Sequence, residues 1–205
     1  MTTEPHAPPD PLNALRARSL EPGDAEALAA LFDVSRTPCH CRWYDFHGDK
    51  NEWLDRCYNR PEENREELLR AVSTQSIDGV VALQGAEVVG WMRLSWSTEL
   101  TKHYEQRIYR GLPCFEGDRS RVMAIGCFLV APALRLQGVP RLLLQAGIAR
   151  AEALGATQLE AFPHRATGLP REALFTGRFE LLQELGFEVV SDFQPYPVLR
   201  YALHH

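Results

Sequence analysis

The sequence predicts an α/β protein built on a mixed β-sheet. Three observations carry this. Val122–Val130 is apolar almost throughout, as a strand covered on both faces is. A helix follows over residues 140–154, with Leu144, Ile148 and Ala151 on one stripe and Gly155 as its stop. Residues 157–162 then read as a second strand, and strand, crossover helix and strand make a βαβ unit with a parallel pair.

The rest of the chain supplies strands and helices around that unit. Residues 15–20 alternate and make a first strand. Asp24, after Pro22 and Gly23, is an N-cap for a helix over 25–32. The stretch 37–60 collects Cys39, His40, Cys41, Trp43, Tyr44, Phe46, His47, Trp53, Cys57 and Tyr58. Pro61 and the acidic residues after it open a helix to about Val72. Residues 77–83 and 87–96 flank Gln84-Gly85-Ala86 as a hairpin. In the second arm Val88, Gly90, Met92, Leu94 and Trp96 share a face. Glu87, Arg93 and Ser95 share the other, which is expected to be partly solvated or turned to a cleft. Residues 97–120 form a long excursion. A last helix over 173–185 stops at Gly186, and 187–190 with 197–203 close as a second antiparallel pair.

Composition bounds the function. The 205 residues are 45% hydrophobic and 24% charged, as in ordinary soluble proteins. One domain over 13–205 is expected, after a Pro-rich mobile tail over 1–12. The start has neither the basic nor the apolar region of a signal peptide, so a cytoplasmic protein is expected. A net charge of −5 argues against nucleic acid as a partner, and no apolar run is long enough for a membrane span. Cys39, Cys41, Cys57, Cys114 and Cys127 are odd in number, against a disulfide framework. Cys39-x-Cys41 lacks zinc-site spacing and no second pair follows, so no metal is expected and core or pocket lining is favoured. A zinc-thiolate module stays a weaker option. Cys127 stands beside the key loop as a nucleophile candidate, but without a His–Asn pattern it reads better as a buried strand residue.

The informative segment runs from Cys127 to Leu144. A buried strand ends in a loop, Arg135-Leu-Gln-Gly138-Val-Pro140, that leads into a helix. The first turn of a helix has unsatisfied N–H groups and the positive end of the dipole, and it takes phosphate. Gly138 permits close backbone approach, and Arg135 and Arg141 add charge. There is no P-loop, dinucleotide or kinase signature.

This loop resembles the Q/R-x-x-G-x-G/A motif of the GNAT superfamily of acyl-CoA-dependent N-acetyltransferases, matched at Arg135 and Gly138. Glu152-Ala-Leu-Gly155, Leu159-Glu-Ala-Phe-Pro163 and the closing Gly186-Phe187 extend the resemblance. The Cys39-His-Cys41-Arg-Trp43 cluster is similar to a bacterial branch in which a C-x-C-x-W-like segment follows the first helix.

The resemblance implies a GNAT-like sheet of six to seven strands, parallel and splayed at its centre, with about four helices. It implies acetyl-CoA as co-substrate. Phe128, Leu129 and Val130 would pair with the pantetheine arm, and the Leu129 N–H would polarise the acetyl carbonyl. The amides of Leu136, Gln137, Gly138, Val139 and Arg141 would hold the pyrophosphate, beside Arg135. An amine would attack the thioester directly, without an acyl-enzyme. Two positions depart from the pattern. Pro140 has no N–H to offer phosphate, and Leu182 stands where many relatives carry a tyrosine acid. Tyr104, Tyr109 or solvent is left to protonate the thiolate.

For the general base, position suggests Glu160 on the second parallel strand and His164 just past it. Each also reads plainly, as a solvated strand residue and a loop histidine. The function expected is N-acylation of a small-molecule amine or peptide N-terminus, by a monomer or homodimer. The alternative is a non-catalytic acetyl-CoA-binding regulator.

Overall fold

The computed structural model describes residues 15–165 and 176–203. The tail and the first residues expected in the last helix lie outside these. In chain order the elements are β1 (Leu15–Ser19), α1 (Ala25–Val34), α2 (Lys50–Asn59), α3 (Pro61–Ser73), β2 (Asp78–Gln84), β3 (Glu87–Trp96), α4 (Thr101–Tyr104), β4 (Val122–Val130), α5 (Val139–Ala153), β5 (Gln158–Ala161), α6 (Phe179–Glu184), β6 (Glu188–Ser191) and β7 (Val198–Ala202).

All seven strands join one sheet in the order β1-β2-β3-β4-β5-β7-β6. Among the described residues only β4 and β5 are parallel, which is the predicted βαβ unit with α5 as its crossover. The closing pair is antiparallel as expected, but β7 inserts between β5 and β6.

One face of the sheet is covered by α5 and α6, with Met92, Leu94, Phe128, Leu143, Leu144 and Leu182 in the core. The other is covered at β2 and β3 by α1 and α3, through Leu28, Phe32, Leu68, Val72 and Trp91. The excursion over 97–120 covers that face nearer β5 and β7, where Leu100, Tyr109, Ala124, Phe162 and Val198 pack together.

Three expectations change. Residues 50–59 form a helix the reading left unassigned. Its signal is the reciprocal cap of Asp49-Lys-Asn-Glu52: Asp49 Oδ1 accepts from the amides of Asn51 and Glu52, and Glu52 Oε2 accepts from the Asp49 amide. The last helix starts only at Phe179 within the described residues. The polar face of β3 is solvated only at Glu87, since Arg93 and Ser95 are both 4% exposed. A bulge between Ala82 and Leu83 leaves Val89 unpaired, and it sends Val88 to the α1 side while Val89 and Met92 face α5. Strict alternation cannot anticipate that change of face.

Candidate active site

The two parallel strands part in mid-sheet. β4 and β5 pair at Val122–Gln158, Met123–Leu159 and Ala124–Glu160, and β5 ends one residue later. β4 runs on to Val130 with β3 paired to it throughout. On its other side, no strand among the described residues pairs with β4 beyond Ala124. At the parting point the β3–β4 register shifts, and Gly126 is the extra residue between Ile125 and Cys127. The Tyr44 hydroxyl donates to the Gly126 carbonyl at this bulge. A Cβ on residue 126 would come within 3.2 Å of the Tyr44 ring, a tight contact that the ring would have to yield to by a few tenths of an ångström.

The register decides which backbone groups reach the open edge. The Ala131 amide donates to Val89 O at 2.9 Å, and the pairs Trp91–Leu129 and Arg93–Cys127 follow in the same register. Antiparallel alternation therefore turns the amides of Cys127 and Leu129 into the ladder with β3. Those of Phe128 and Val130 face outward. This corrects the role expected of Leu129: its N–H is committed to β3, and the Phe128 amide is the one nearest the bulge that faces the edge.

The edge leads into the phosphate-type loop. Leu136 and Gly138 are both left-handed, with φ of 68° and 80°, on either side of Gln137. Successive amides thus curl into a concave nest. Gly138 caps α5, and its carbonyl accepts from the amides of Arg141 and Leu142 at 3.0 and 3.2 Å. The Gln137 amide bonds Leu134 O at 3.4 Å. Among the described residues the amides of Leu136, Gly138 and Val139 have no acceptor in the chain. A Cβ at residue 138 would meet nothing within 4 Å, so the loop is open on that side. Arg141 pairs with Glu184 of α6, and Arg135 is half-buried next to Leu136. Pro140 lies in the first helical turn, as its fixed φ favours.

Glu160 is fully buried and saturated. Its Oε2 accepts from Tyr104 Oη at 2.6 Å and Arg119 Nη2 at 2.7 Å. Its Oε1 accepts from Arg200 Nη2 at 2.7 Å, Arg200 Nε at 3.2 Å and Arg119 Nη1 at 3.3 Å. Five donors leave no room for an amine proton, so the carboxylate fastens the excursion to β5 and β7 and does not suit a general base. Burial, and then Glu160 itself, drives the Tyr104 hydroxyl far up, which removes that tyrosine as a proton source. Beside this cluster Ser97, Thr101, Tyr104, Tyr109, Phe115 and Arg119 line a cavity of about 300 Å³.

His164 is half-buried at the lip past β5. Its ring stacks on Tyr196 at 4.8 Å and 15°. The Arg165 amide donates to Pro195 O at 2.7 Å, so this lip and the β6–β7 connection are one unit. Leu182 is buried in the α5-side core.

Sequence reasoning passed over Arg93 and Tyr44. Arg93 grips Asp45 with Nη1 at 2.7 Å and Nη2 at 3.0 Å, Cys41 O at 3.1 Å and Ser95 Oγ at 3.0 Å. Burial pushes the Asp45 carboxyl up, but the Arg93 hydrogen bonds and charge outweigh it and hold it below the usual range. The available signal is an arginine amid the apolar run of β3. Of the aromatic group, Trp43 and Phe46 both pack on Trp53, and Lys102 Nζ sits 3.6 Å from the Trp43 ring centre. Among the described residues no group of His, Cys, Asp and Glu is arranged to hold a metal.

An open strand edge thus runs into a loop of unpaired amides and a helix start. The chain belongs to the acetyltransferase (GNAT) family, whose model matches residues 42–175. Solved structures share the fold. The PaiA N-acetyltransferase of Thermoplasma acidophilum, in complex with coenzyme A, matches with a TM-score of 0.54 at 14% identity, covering 92% of this chain and 98% of its own. An N-acetyltransferase of Staphylococcus aureus Mu50 matches at 0.53 and 15%, covering 93% and 99%. The yncA protein of Salmonella typhimurium, solved with its cofactor acetyl-CoA, matches at 0.51 and 17%, covering 94% and 96%. No curated protein matches the chain.

Proposed function

We propose that the protein transfers acetyl from acetyl-CoA to a primary amine, of a small molecule or a peptide N-terminus, by direct attack in a ternary complex. The observation that carries this is the parting of β4 from β5 after Ala124–Glu160, which leaves the Phe128 and Val130 backbone free to pair with a pantetheine arm. The loop beyond supplies the amides of Leu136, Gly138 and Val139 for the pyrophosphate. The Phe128 amide is the oxyanion donor, and Gly126, fixed by Tyr44, sets where that amide points. His164, half-buried at the lip past β5 with its ring stacked on Tyr196, is the base in this reading, since the Glu160 carboxylate is already taken up by Tyr104, Arg119 and Arg200. Solvent returns the proton to the thiolate, since Leu182 carries no hydroxyl.

The test is thiol release from acetyl-CoA with a broad panel of amines, together with acetyl-CoA-dependent thermal shift. Expected are a raised melting temperature, release only when both substrates are present, and intersecting initial-rate plots rather than ping-pong kinetics. Binding with no release across the panel would instead favour the regulator.

A further inference from the structure

One ring bridges the two sides of the gap that opens between β4 and β5. Their last paired rung is Ala124–Glu160. Two residues further along β4 stands Gly126, whose carbonyl accepts from the Tyr44 hydroxyl. On the other side the chain runs from Ala161, the end of β5, into Phe162. The His103 ring lies between these two anchors. It meets Phe162 edge to face at 4.3 Å and 71°, and Tyr44 at 5.8 Å and 66°. Among the described residues Tyr44 and Phe162 make no ring contact with each other. The path from β4 to the continuation of β5 is therefore one hydrogen bond and two aromatic contacts, and it passes through His103.

The neighbours of His103 hold the ring in place. Its amide donates to Leu100 O at 2.8 Å and fixes the turn of α4. The next residue, Tyr104, donates to Glu160 Oε2 at 2.6 Å, which pins the excursion at the last paired rung. Tyr109 packs on the imidazole at 4.9 Å and lies 5.1 Å from Phe162. His103, Tyr109 and Phe162 are 7%, 3% and 3% exposed, so the box is closed to solvent.

Bulk is what this box uses. Nδ1 has the Gln106 side-chain amide at 3.2 Å, but Nε2 is buried without a hydrogen-bond partner among the described residues. A buried nitrogen left unpaired weakens a fold. Hydrogen bonding therefore does not account for a ring at this place, whereas its size and its edge-to-face packing do.

We propose that His103 is a positioning residue for acyl transfer: its ring is the spacer that keeps the Phe162 end of β5 away from β4 at Gly126, and so sets the width of the gap into which Phe128 presents its amide. Only the effect on turnover rests on the acyl-transfer reading. Interiors are close-packed, and neighbours relax partway into the space a deleted side chain leaves. With the ring gone, Phe162 and Tyr44 move toward each other, Tyr44 draws the Gly126 carbonyl with it, and the gap narrows. The amides of Leu136, Gly138 and Val139 lie past the end of β4, away from this box. The loss falls on the reacting geometry and not on the hold on a pyrophosphate.

The experiment compares the full chain with its His103→Ala and His103→Phe variants. Crystal structures give the separation of Gly126 and Phe162, thermal melts give stability, and kcat and KM for acetyl-CoA are measured well below every midpoint. His103→Ala should bring Gly126 and Phe162 closer by about an ångström and lower kcat roughly tenfold or more, as misplacements of that size allow, with KM for acetyl-CoA little changed. His103→Phe refills the box and should restore both the separation and kcat. If His103→Ala does not fold, His103→Leu, which fills only part of the box, takes its place with the same expected direction. A lowered Tm with separation, kcat and KM all unmoved would mark a purely structural residue and overturn the proposal. Failure of phenylalanine to restore kcat would overturn it too, because the nitrogen and not the bulk would then matter. A narrowed gap with undiminished kcat overturns the link to turnover. A separation that responds as expected in a protein with no transferase activity supports the spacer and counts against the acyl-transfer reading alone.

Discussion

Replacing Glu160 with glutamine separates a structural carboxylate from a catalytic one. Five donor contacts from Tyr104, Arg119 and Arg200 converge on its two oxygens. Glutamine keeps one acceptor and sets N–H donors against guanidinium donors. Breaking a buried ion pair by removing one partner costs about 3–5 kcal/mol. The arginine side chains retain 17% and 21% exposure, and their residual hydration favours the lower end. In a chain of this size each kcal/mol shifts Tm by about 2–4 °C, so about 3 kcal/mol predicts a fall of roughly 6–12 °C. The assay is a pair of thermal melts, with kcat measured well below both midpoints. The structural role predicts kcat within a few-fold of wild type. Loss of a general base would lower kcat by roughly 10²–10⁴ with little effect on stability. A hundredfold loss of kcat with Tm unmoved would refute the reasoning.

Three further outcomes follow from the same geometry. Gly138→Val meets no neighbour but forces a β-branched residue to φ 80°, so a stability loss on the order of 1–2 kcal/mol is expected by urea titration, with CoA binding lost by calorimetry; intact CoA binding would count against the nest. Pro140→Ala restores a first-turn N–H and should tighten CoA about fivefold, roughly 1 kcal/mol, while melting slightly lower; markedly weaker binding would mean the ring shapes the loop. His103 is boxed by Tyr44, Tyr104, Tyr109 and Phe162, and burial holds its imidazole down at about 4 from 6.5. Because the folded value is the depressed one, its contribution is complete above pH 6.5 and is lost as pH falls toward 4, about 3 kcal/mol in all; His103→Phe should lose that much less stability over the same range.

The loop and its setting were legible in the sequence because their signals are local. An apolar strand, a glycine turn and an amphipathic helix each depend on residues within a few positions, and together they imply the parallel pair. Pro140 in the first turn was readable for the same reason. The α2 cap was written in Asp49 and Glu52 too, but the aromatic residues around it masked the helical period.

What only the tertiary structure decided involves residues far apart in the chain. A one-residue bulge at Gly126 resets which amides face outward, so the outward amide belongs to Phe128 and not to Leu129, the residue the family resemblance implied. Glu160 looks like a base in the sequence. It becomes a clamp because Tyr104 and Arg119 arrive from the 97–120 excursion and Arg200 from β7. Arg93, Asp45, Tyr44 and the Cys41 carbonyl meet only once the loop after α1 lies across β3 and β4. Helices and strands follow from periodicity along the chain, whereas the partners of a buried polar side chain are set by packing between segments, and no short window of sequence contains that packing.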